Sequence, residues 1–174
     1  MHSRGVLALC LAWGAGCPKD AQRARQLAAG SAAAGSKYGR PPPALCFCNN
    51  LNMYGHYALG VLLFDEGGDD SRVTSLFRMA ADCNLDAAQW GLGYLHENGV
   101  GVPQNWKEAL HWHKLAAEQG MPWACASVAR IYEEGLGVLA DEGRAVRWFA
   151  RAVNAGHFAS VPALRRLKQK EKFQ

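Results

Sequence analysis

The sequence predicts an all-α fold, a right-handed αα-hairpin solenoid of about four repeats, on three observations. Alanine and glycine are abundant while valine, isoleucine and threonine are sparse, a balance that favours closely packed helices over sheet. At four places an Asp or Asn stands fifteen residues before a Gly or Asn, with small and apolar residues at helical spacing between them. A glycine turn precedes three of these places at the same distance. Repetition of one helical unit along a chain is typical of a solenoid.

The second helix of each predicted pair has the clearer start and stop signals in the sequence. It starts at an Asp or Asn, whose side chain accepts hydrogen bonds from the free N–H groups of the first turn. It stops at a Gly or Asn, residues that tolerate the left-handed conformation after a helix. Positions four, seven and eleven residues after the cap share one face, and small residues near the end let another helix approach closely. The four intervals are Asp20–Gly35, Asp69–Asn84, Asn105–Gly120 and Asp141–Gly156.

A shorter first helix precedes each of these second helices. Residues 92–96 correspond to residues 128–132, thirty-six positions later, and also to residues 59–63 when the following turn is taken as three residues shorter. The joining turns read GAGCP at 14–18, GVGVP at 99–103 and GLGVL at 135–139. The predicted unit is therefore helix A, a glycine turn and helix B, with a period of thirty-six residues.

These residues resemble the Sel-1-like repeat family, a relative of the tetratricopeptide repeat. The family pattern is roughly A-x-x-x-L-G-x-x-Y-x-x-G-x-G-V-x-x-D-x-x-x-A-x-x-W-x-x-x-A-A-x-x-G. The third segment follows it almost throughout, with His96 in the Tyr position and Asn105 in the Asp position, whereas the first matches mainly in the turn and helix B. The resemblance implies that the first helices line an inner groove where partners bind. The matching segments are 7–35, 58–84, 88–120 and 124–156.

The resemblance implies one array over residues 1–174. Three prolines in the segment RPPPALCFCNN stop a helix, so we expect an inserted loop over about 38–51. A basic segment over about 162–172 continues the phase of helix A and is expected to be a capping helix. The predicted repeats cover about 1–35, 52–84, 87–120 and 123–156.

The first segment, MHSRGVLALCLAWGAGC, has two interpretations. It reads as helix A of the first repeat, or as a short secretory signal over residues 1–17, because a basic residue precedes an apolar stretch and small residues. As helix A it has no capping element before it, which leaves open a longer array or self-association through this helix. The six cysteines have no regular spacing and no glycosylation sequon occurs, which favours a cytoplasmic location.

Charge is distributed unevenly along the chain. Residues 1–45 carry six Lys/Arg and one acid, residues 46–143 carry five and thirteen, and residues 144–174 carry eight and one. The three parts therefore carry +5, −8 and +7, which sum to the net charge of +4. We expect no nucleic-acid partner, because the basic C-terminal segment lacks interleaved aromatic residues. We also expect no membrane span, since no apolar run approaches the roughly 18–20 residues required.

Two features of the third repeat suggest a chemical site but favour a structural interpretation. The turn GVGVP resembles a phosphate loop, yet Pro103 removes one N–H group and the turn recurs at the same phase in other repeats. His111 and His113 are two positions apart on a helix, so they point away from each other and cannot share a metal. His113 takes the position of Phe77 and Phe149, which indicates packing.

Cysteine and acid–base chemistry give no stronger candidate. Cys46 and Cys48 stand close together in the predicted loop, but a zinc site needs four ligands and no second cysteine pair is present. No Ser-His-Asp, His-Glu-x-x-His or paired-carboxylate pattern occurs at a useful spacing. The sequence therefore predicts no catalytic residue, no metal and no cofactor.

The predicted groove consists of residues of helix A that lie outside the packing positions. They form rows across the repeats, from an aromatic end to a charged end, with Trp123 near the latter. Aromatic and Arg side chains at the centre of a groove are what peptide binding favours, although some of these aromatics could instead pack between repeats. Trp106, near the start of helix B, is expected to be exposed. The rows are Tyr57, Trp90 and Ala126; Val61, Tyr94 and Arg130; and Phe64, Glu97 and Glu133.

The predicted function is that of a non-catalytic adaptor or scaffold that holds a protein or peptide in its concave groove, as the resemblance implies. Two alternatives stay open: a structural subunit of a larger complex without a groove ligand, or a secreted enzyme of the cysteine-rich Sel-1-like type. A regular cysteine pair in each repeat would favour the enzyme. The sequence does not support that pattern, because Cys10 and Cys17 correspond to Leu95 and Val102 in the third repeat.

Overall fold

The structure is a computed structural model that describes Ala8, Leu11, residues 20–34 and residues 50–171. Several predictions lie outside these residues. They concern the first helix of the first repeat, apart from Ala8 and Leu11, the stop at Gly35, most of the inserted loop with Cys46 and Cys48, and the last residues of the capping helix.

The described residues form α-helices and one 3-10 helix and contain no strand, which confirms the predicted all-α class. The helix expected to follow the inserted loop begins at Asn50, so the last two residues of that predicted loop are helical. The helices are α1 (Ala21–Ala34), α2 (Asn50–Asp65), α3 (Asp70–Asp82), α4 (Asp86–Asn98), α5 (Trp106–Glu118), α6 (Pro122–Glu134), α7 (Glu142–Asn154), the 3-10 helix (Phe158–Ser160) and α8 (Val161–Glu171).

All four predicted N-caps are confirmed. The Asp20 carboxylate accepts a hydrogen bond from the Arg23 backbone N–H at 2.8 Å. The equivalent caps accept from the first turn of α3, α5 and α7, and the side-chain amide oxygen of Asn105 accepts two such bonds. Each cap satisfies N–H groups that the helix itself leaves without a partner. The three remaining caps are Asp69, Asn105 and Asp141.

The predicted stops after helix B adopt the left-handed conformation. Gly120 and Gly156 have φ of 94° and 99°, and Asn84 has φ of 62°. Asn84 is the one residue other than glycine with positive φ in the described ranges. Asparagine takes this conformation more readily than most side chains, which explains why it replaces glycine at this stop.

The chain divides into two compact units. Unit 1 comprises Met1–Ala88 with Val100–Val102, and within it α1 packs on α2 and α2 on α3. Its core is rich in alanine, so the helix backbones approach closely. The core residues around α1 and α2 are Ala8, Leu11, Ala24, Ala28, Ala58 and Leu62.

Unit 2 comprises Gln89–Gly99 and Pro103–Gln174. Within it α5 packs on α6, α6 on α7, and α7 on α8. Leu167 of α8 is buried in this core, as its place in the helix-A phase indicates. Further core residues of unit 2 are Leu110, Ala116, Ala124, Val128, Ile131, Tyr132, Ala145, Phe149 and Ala152.

The prediction that Trp106 is exposed is wrong. Its side chain is half-buried and packs against the core of unit 2. The turn after α6 folds back over it: Gly137 has φ of 67°, and a Cβ atom at Gly137 would lie 2.6 Å from the Cβ atom of Trp106. The Arg130 guanidinium covers the ring, with 5.8 Å between Cζ and the ring centroid. Helical phase gives the direction in which a side chain leaves its helix. It does not show which side chains a turn of the next helix pair will cover.

Candidate partner-binding site

The predicted groove residues of unit 1 lie on α2, and they differ in exposure. Phe64 is 38% exposed, whereas Tyr57 and Val61 are half-buried. The Tyr57 ring packs edge-on against Phe77, with 5.4 Å between the ring centroids. Burial, followed by the negative charge of Asp86, raises the pKa of the Tyr57 hydroxyl above its ordinary value. Tyr57 therefore fits the alternative that some of the aromatic residues serve packing.

In unit 2 most of the predicted groove residues line a shallow cleft of about 370 Å³. The cleft is formed by α4, α6, Phe149 of α7, the 3-10 helix with the preceding His157, and the start of α8. Four predicted residues line it, namely Trp90, Trp123, Arg130 and Glu133, together with Ala126 of the first row. Tyr94 and Glu97 are not among the lining residues. Helix A thus supplies most of the cleft, in agreement with the phase of the repeat.

Trp90 and Tyr94 have two different roles in unit 2. The Trp90 side chain is half-buried and packs against the core as well as lining the cleft. Tyr94 is 42% exposed and lies one turn along α4, with 6.4 Å between the two ring centroids. A substitution at Trp90 would therefore disturb the core and the cleft together.

Trp123 is the most exposed ring of the cleft, with 56% of its surface accessible. Its ring lies edge-on to the imidazole of His157, with 6.2 Å between the centroids. His157 Nδ1 is 2.7 Å from Ser160 Oγ, a hydrogen bond that holds the imidazole in place. His157, Ser160 and Glu134 also line the cleft and were not predicted from the sequence. The repeat phase offered a signal for His157, since it precedes the last helix as Met121 precedes α6.

The Glu97 carboxylate interacts with two neighbouring side chains. Its carboxylate forms an ion pair with the Arg130 guanidinium, and its Oε2 atom lies 3.4 Å from His113 Nε2. The His113 side chain is 1% exposed and that of Glu97 15% exposed. His113 therefore occupies the packing position predicted for it. Glu97 forms an ion pair with Arg130 but does not line the cleft.

Burial raises the pKa of Glu97, but the hydrogen bond with His113 and the charge of Arg130 outweigh it, so the pKa lies below its ordinary value. As the pH falls, the Glu97 carboxylate is therefore protonated at a higher pH in the unfolded chain than in the folded protein. The stability contributed by ionised Glu97 is complete above its unfolded pKa of about 4.3. It is lost as the pH falls through the lower folded pKa.

We expect Glu97→Gln to weaken the pH dependence of stability. The variant should have a lower free energy of unfolding than the native protein at pH 7 and should lose less of it between about pH 5 and pH 3. Urea unfolding across this range measures both. Glu118→Gln, on an exposed position of α5, controls for the loss of one negative charge. A parallel decline in the native protein and Glu97→Gln would contradict the role given to Glu97.

The Glu–Arg pair recurs one repeat later. Glu97 pairs with Arg130, and Glu133 pairs with Arg166 on α8, each over a separation of thirty-three residues. Lys170 of α8 also forms an ion pair with Glu142. Arg166 was not predicted from the sequence, although it follows Arg130 by the repeat period. Part of the basic charge of α8 is therefore neutralised within unit 2.

Other chemistry is weakly represented in the part of the chain that the structure describes. There, no group of three His, Cys, Asp or Glu side chains is placed to hold a metal ion. None of the helices in that part is both long and apolar enough to cross a membrane. Unit 2 presents an open cleft with aromatic and charged side chains, of which the Trp123 ring is the most exposed.

Comparison with known proteins identifies the family to which this chain belongs. A family model of the Sel1 repeat matches residues 6–36, 86–121 and 124–157, more than half of the chain. The second match contains α4 and α5, and the third contains α7 and all of α6 except its first two residues. The predicted repeat at 52–84 lies outside these matches, and its assignment to the family stays a prediction.

Three relatives illustrate the range of proteins that this chain resembles. It is 31% identical over 98 residues to a sel1-like repeat-containing protein of Acanthamoeba polyphaga mimivirus, which covers 56% of this chain and 17% of the relative. It is 28% identical over 99 residues to cytochrome c oxidase assembly factor 7A of Xenopus laevis, with coverage of 56% and 42%. It is 32% identical over 111 residues to chitin synthase regulatory factor 3 of Schizosaccharomyces pombe, with coverage of 63% and 11%. The chain therefore spans less than half the length of each relative.

Two solved structures share the fold. A Sel1 repeat protein from Oxalobacter formigenes superposes with a TM-score of 0.74 at 26% identity, over 92% of this chain and 60% of that one. A protective antigen of uropathogenic Escherichia coli strains that displays an SLR fold gives a TM-score of 0.70 at 27% identity, over 88% and 30%. These similarities confirm the predicted solenoid class. The chain belongs to the Sel1 repeat family, whose members are generally protein-interaction scaffolds and typically not enzymes.

Proposed function

We propose that this chain is a non-catalytic adaptor or scaffold that holds a protein or peptide segment in the groove lined by its first helices. The observation that carries the proposal is the open cleft of unit 2, where Trp123 is 56% exposed beside Trp90. The Trp123 ring thus exposes a large apolar surface to water within the cleft. Buried tryptophan and arginine side chains dominate the binding energy of many interfaces.

The cleft is preorganised, which favours binding. Arg130 is held by Glu97 and Trp106, and the ring beside Trp123 is held by the hydrogen bond between His157 and Ser160. Side chains that are already fixed lose little conformational entropy when a partner arrives. A peptide would therefore meet a surface that needs no rearrangement of its own.

The names of two relatives also support this proposal. One is an assembly factor and the other a regulatory factor, and both names describe proteins that act on other proteins. The same proposal takes residues 52–84 as a further repeat, so that residues 1–174 hold one array of about four repeats. In that array, α8 would serve as the capping helix.

We expect Trp123→Ala to lose the partner while the fold is kept. Trp123 is largely outside the core, so its removal should leave the thermal unfolding temperature nearly unchanged. Loss of a central tryptophan should reduce recovery of the direct partner by about tenfold or more. Affinity capture with quantitative mass spectrometry, followed by a binding measurement with the purified partner, tests this expectation.

The control for this experiment is Leu139→Ala. Leu139 is 91% exposed on the turn after α6 and is not among the residues that line the cleft. Its variant should recover the partner as the native protein does. If Trp123→Ala remains folded and keeps the same partner at the same affinity, the groove is not the binding surface. The alternative of a structural subunit without a groove ligand would then gain support.

A further inference from the structure

The rings of the cleft present aromatic surface to whatever binds there. Trp123 is 56% exposed, Trp90 is half-buried, and His157 stands edge-on to Trp123. Indole faces carry negative electrostatic potential, so they attract cations as well as apolar groups. The charges around the rings decide which of these two kinds of group is favoured.

The cation that lines this cleft is already paired. Arg130 contacts the Glu97 carboxylate through one terminal nitrogen, and its other terminal nitrogen lies 3.7 Å from Glu134 Oε2. The Trp106 ring lies against the same guanidinium, 5.8 Å from Cζ. A carboxylate on an incoming peptide would have to displace Glu97, which is held in turn by His113. Arg130 is therefore a poor site for an anion.

Two carboxylates, Glu133 and Glu134, and one guanidinium, Arg130, line the cleft. Glu133 is paired with Arg166, and Arg130 with Glu97, neither of which lines the cleft. Glu134 therefore has the weakest pairing of the lining carboxylates: its side chain is 49% exposed, and its Oε2 atom lies 3.7 Å from Arg130 Nη1, beyond hydrogen-bond distance. A positive charge entering the cleft would thus meet a half-exposed carboxylate beside exposed indole.

We infer that the cleft of unit 2 binds a lysine or arginine side chain of the partner segment, between the Trp123 ring and the Glu134 carboxylate. The inference rests on the proposed function and specifies the chemistry of the partner. The long methylene stem of either side chain covers apolar ring surface while its charged end reaches the carboxylate. The ring and the carboxylate both favour a cation, and the carboxylates Glu133 and Glu134 repel an acidic peptide.

A peptide array tests the inference directly. The probes are synthetic seven-residue peptides with randomised outer positions and a fixed central lysine, arginine, norleucine or glutamate. Norleucine reproduces the apolar stem of lysine without the charge, so it separates the two contributions. The full chain is compared with Trp123→Ala, Glu134→Gln and the control Leu139→Ala, and dissociation constants of the best binders are then measured at two salt concentrations.

The expected order of affinity is lysine or arginine first, then norleucine, then glutamate. The central cation should improve affinity over norleucine by about tenfold at low salt and by less at high salt. Glu134→Gln should reduce this advantage, Trp123→Ala should remove most binding, and Leu139→Ala should preserve both.

Two outcomes separate this inference from the proposed function. If Trp123→Ala abolishes binding but the central residue makes no difference, or glutamate is preferred, the inference is wrong and the groove function stands. If no peptide of any class binds the native chain, both are contradicted. If the preference for a cation survives unchanged in Glu134→Gln and Trp123→Ala, the cation binds elsewhere and the assignment to this cleft is wrong.

Discussion

Gly101→Ala is expected to lower the free energy of unfolding by about 3 kcal/mol. Gly101 has φ of 66°, a conformation that costs a residue with a Cβ atom about 1–2 kcal/mol. The added Cβ atom would also overlap the Asp70 carbonyl group and lie 2.7 Å from Thr74 Oγ1. The Asp70 carbonyl is backbone at the start of α3, so it cannot move aside as the end of a flexible side chain can.

The position of Thr74 makes this clash more costly. Its hydroxyl donates to the carbonyl oxygens of Asp70 at 3.0 Å and Val100 at 3.2 Å, and so joins the turn to the first turn of α3. A shift of the turn large enough to admit the Cβ atom would break the second bond. The loss of this bond between the turn and α3 adds to the cost of the strained dihedral.

Gly120→Ala is the matched control for Gly101→Ala. Gly120 has φ of 94°, but nothing lies within 4 Å of the position of an added Cβ atom. Its substitution therefore measures the dihedral cost alone, about 1–2 kcal/mol. Urea unfolding of both variants gives the difference. If the two substitutions lower the free energy of unfolding equally, the close approach of the glycine turn to α3 does not contribute to the cost of Gly101→Ala.

The repeats explain why so much of the fold could be predicted from the sequence. A cap residue such as Asp141 is a weak signal alone, yet it is strong when an Asp or Asn recurs at the same phase in four intervals. The same comparison identified Asn84 as a helix stop, although most asparagines are not in the left-handed conformation. It also identified His113 as a packing residue, because its equivalents are phenylalanines.

The candidate site was less predictable, for a physical reason. Helical phase fixes the direction in which a side chain leaves its helix, and four residues chosen by phase, Trp90, Trp123, Arg130 and Glu133, line one cleft. It does not determine which neighbouring side chain forms an ion pair with a charged residue. Whether Glu97 faces a partner or pairs with Arg130 depends on distances of a few ångströms between helices.

The residues that the sequence analysis missed illustrate the same limit. His157 and Ser160 belong to the 3-10 helix region between α7 and α8, where the helical period is interrupted. Trp106 is covered by a turn whose path follows from the positive φ of Gly137. Periodicity carries little information on the path of such segments. The recurrence of Arg130 at Arg166, and the place of His157 at the phase of Met121, could have been recognised from the repeat itself.

Gly93→Ala is expected to lower the free energy of unfolding by about 2 kcal/mol. In an open helical position this substitution would stabilise by up to about 1 kcal/mol, because alanine favours helix over glycine. Here the added Cβ atom would overlap the buried His113 ring, with only 2.8 Å left to its Cγ atom. The ring is 1% exposed and its Nε2 atom interacts with Glu97, so it has little room to withdraw.

Gly60→Ala is the matched control, since Gly60 holds the same position in the preceding helix pair. Its added Cβ atom would lie 3.4 Å from Leu76 Cβ and 3.6 Å from the Phe77 ring, which is ordinary or nearly ordinary contact. Its substitution should therefore leave stability unchanged or raise it by up to about 1 kcal/mol. Thermal and urea unfolding of the two variants should thus give shifts of opposite sign or of clearly different size.

A double-mutant cycle with His113→Ala identifies the cause of the loss at Gly93. His113→Ala leaves a cavity and is destabilising by itself, but it removes the ring that the new Cβ atom would meet. In that background Gly93→Ala should be neutral or stabilising, which gives a coupling of about 2 kcal/mol or more. An equal cost of Gly93→Ala in both backgrounds would show that the ring is not responsible. Because Glu97 stands one turn after Gly93 and also holds Arg130, a displaced His113 ring should weaken binding at the cleft as well as folding.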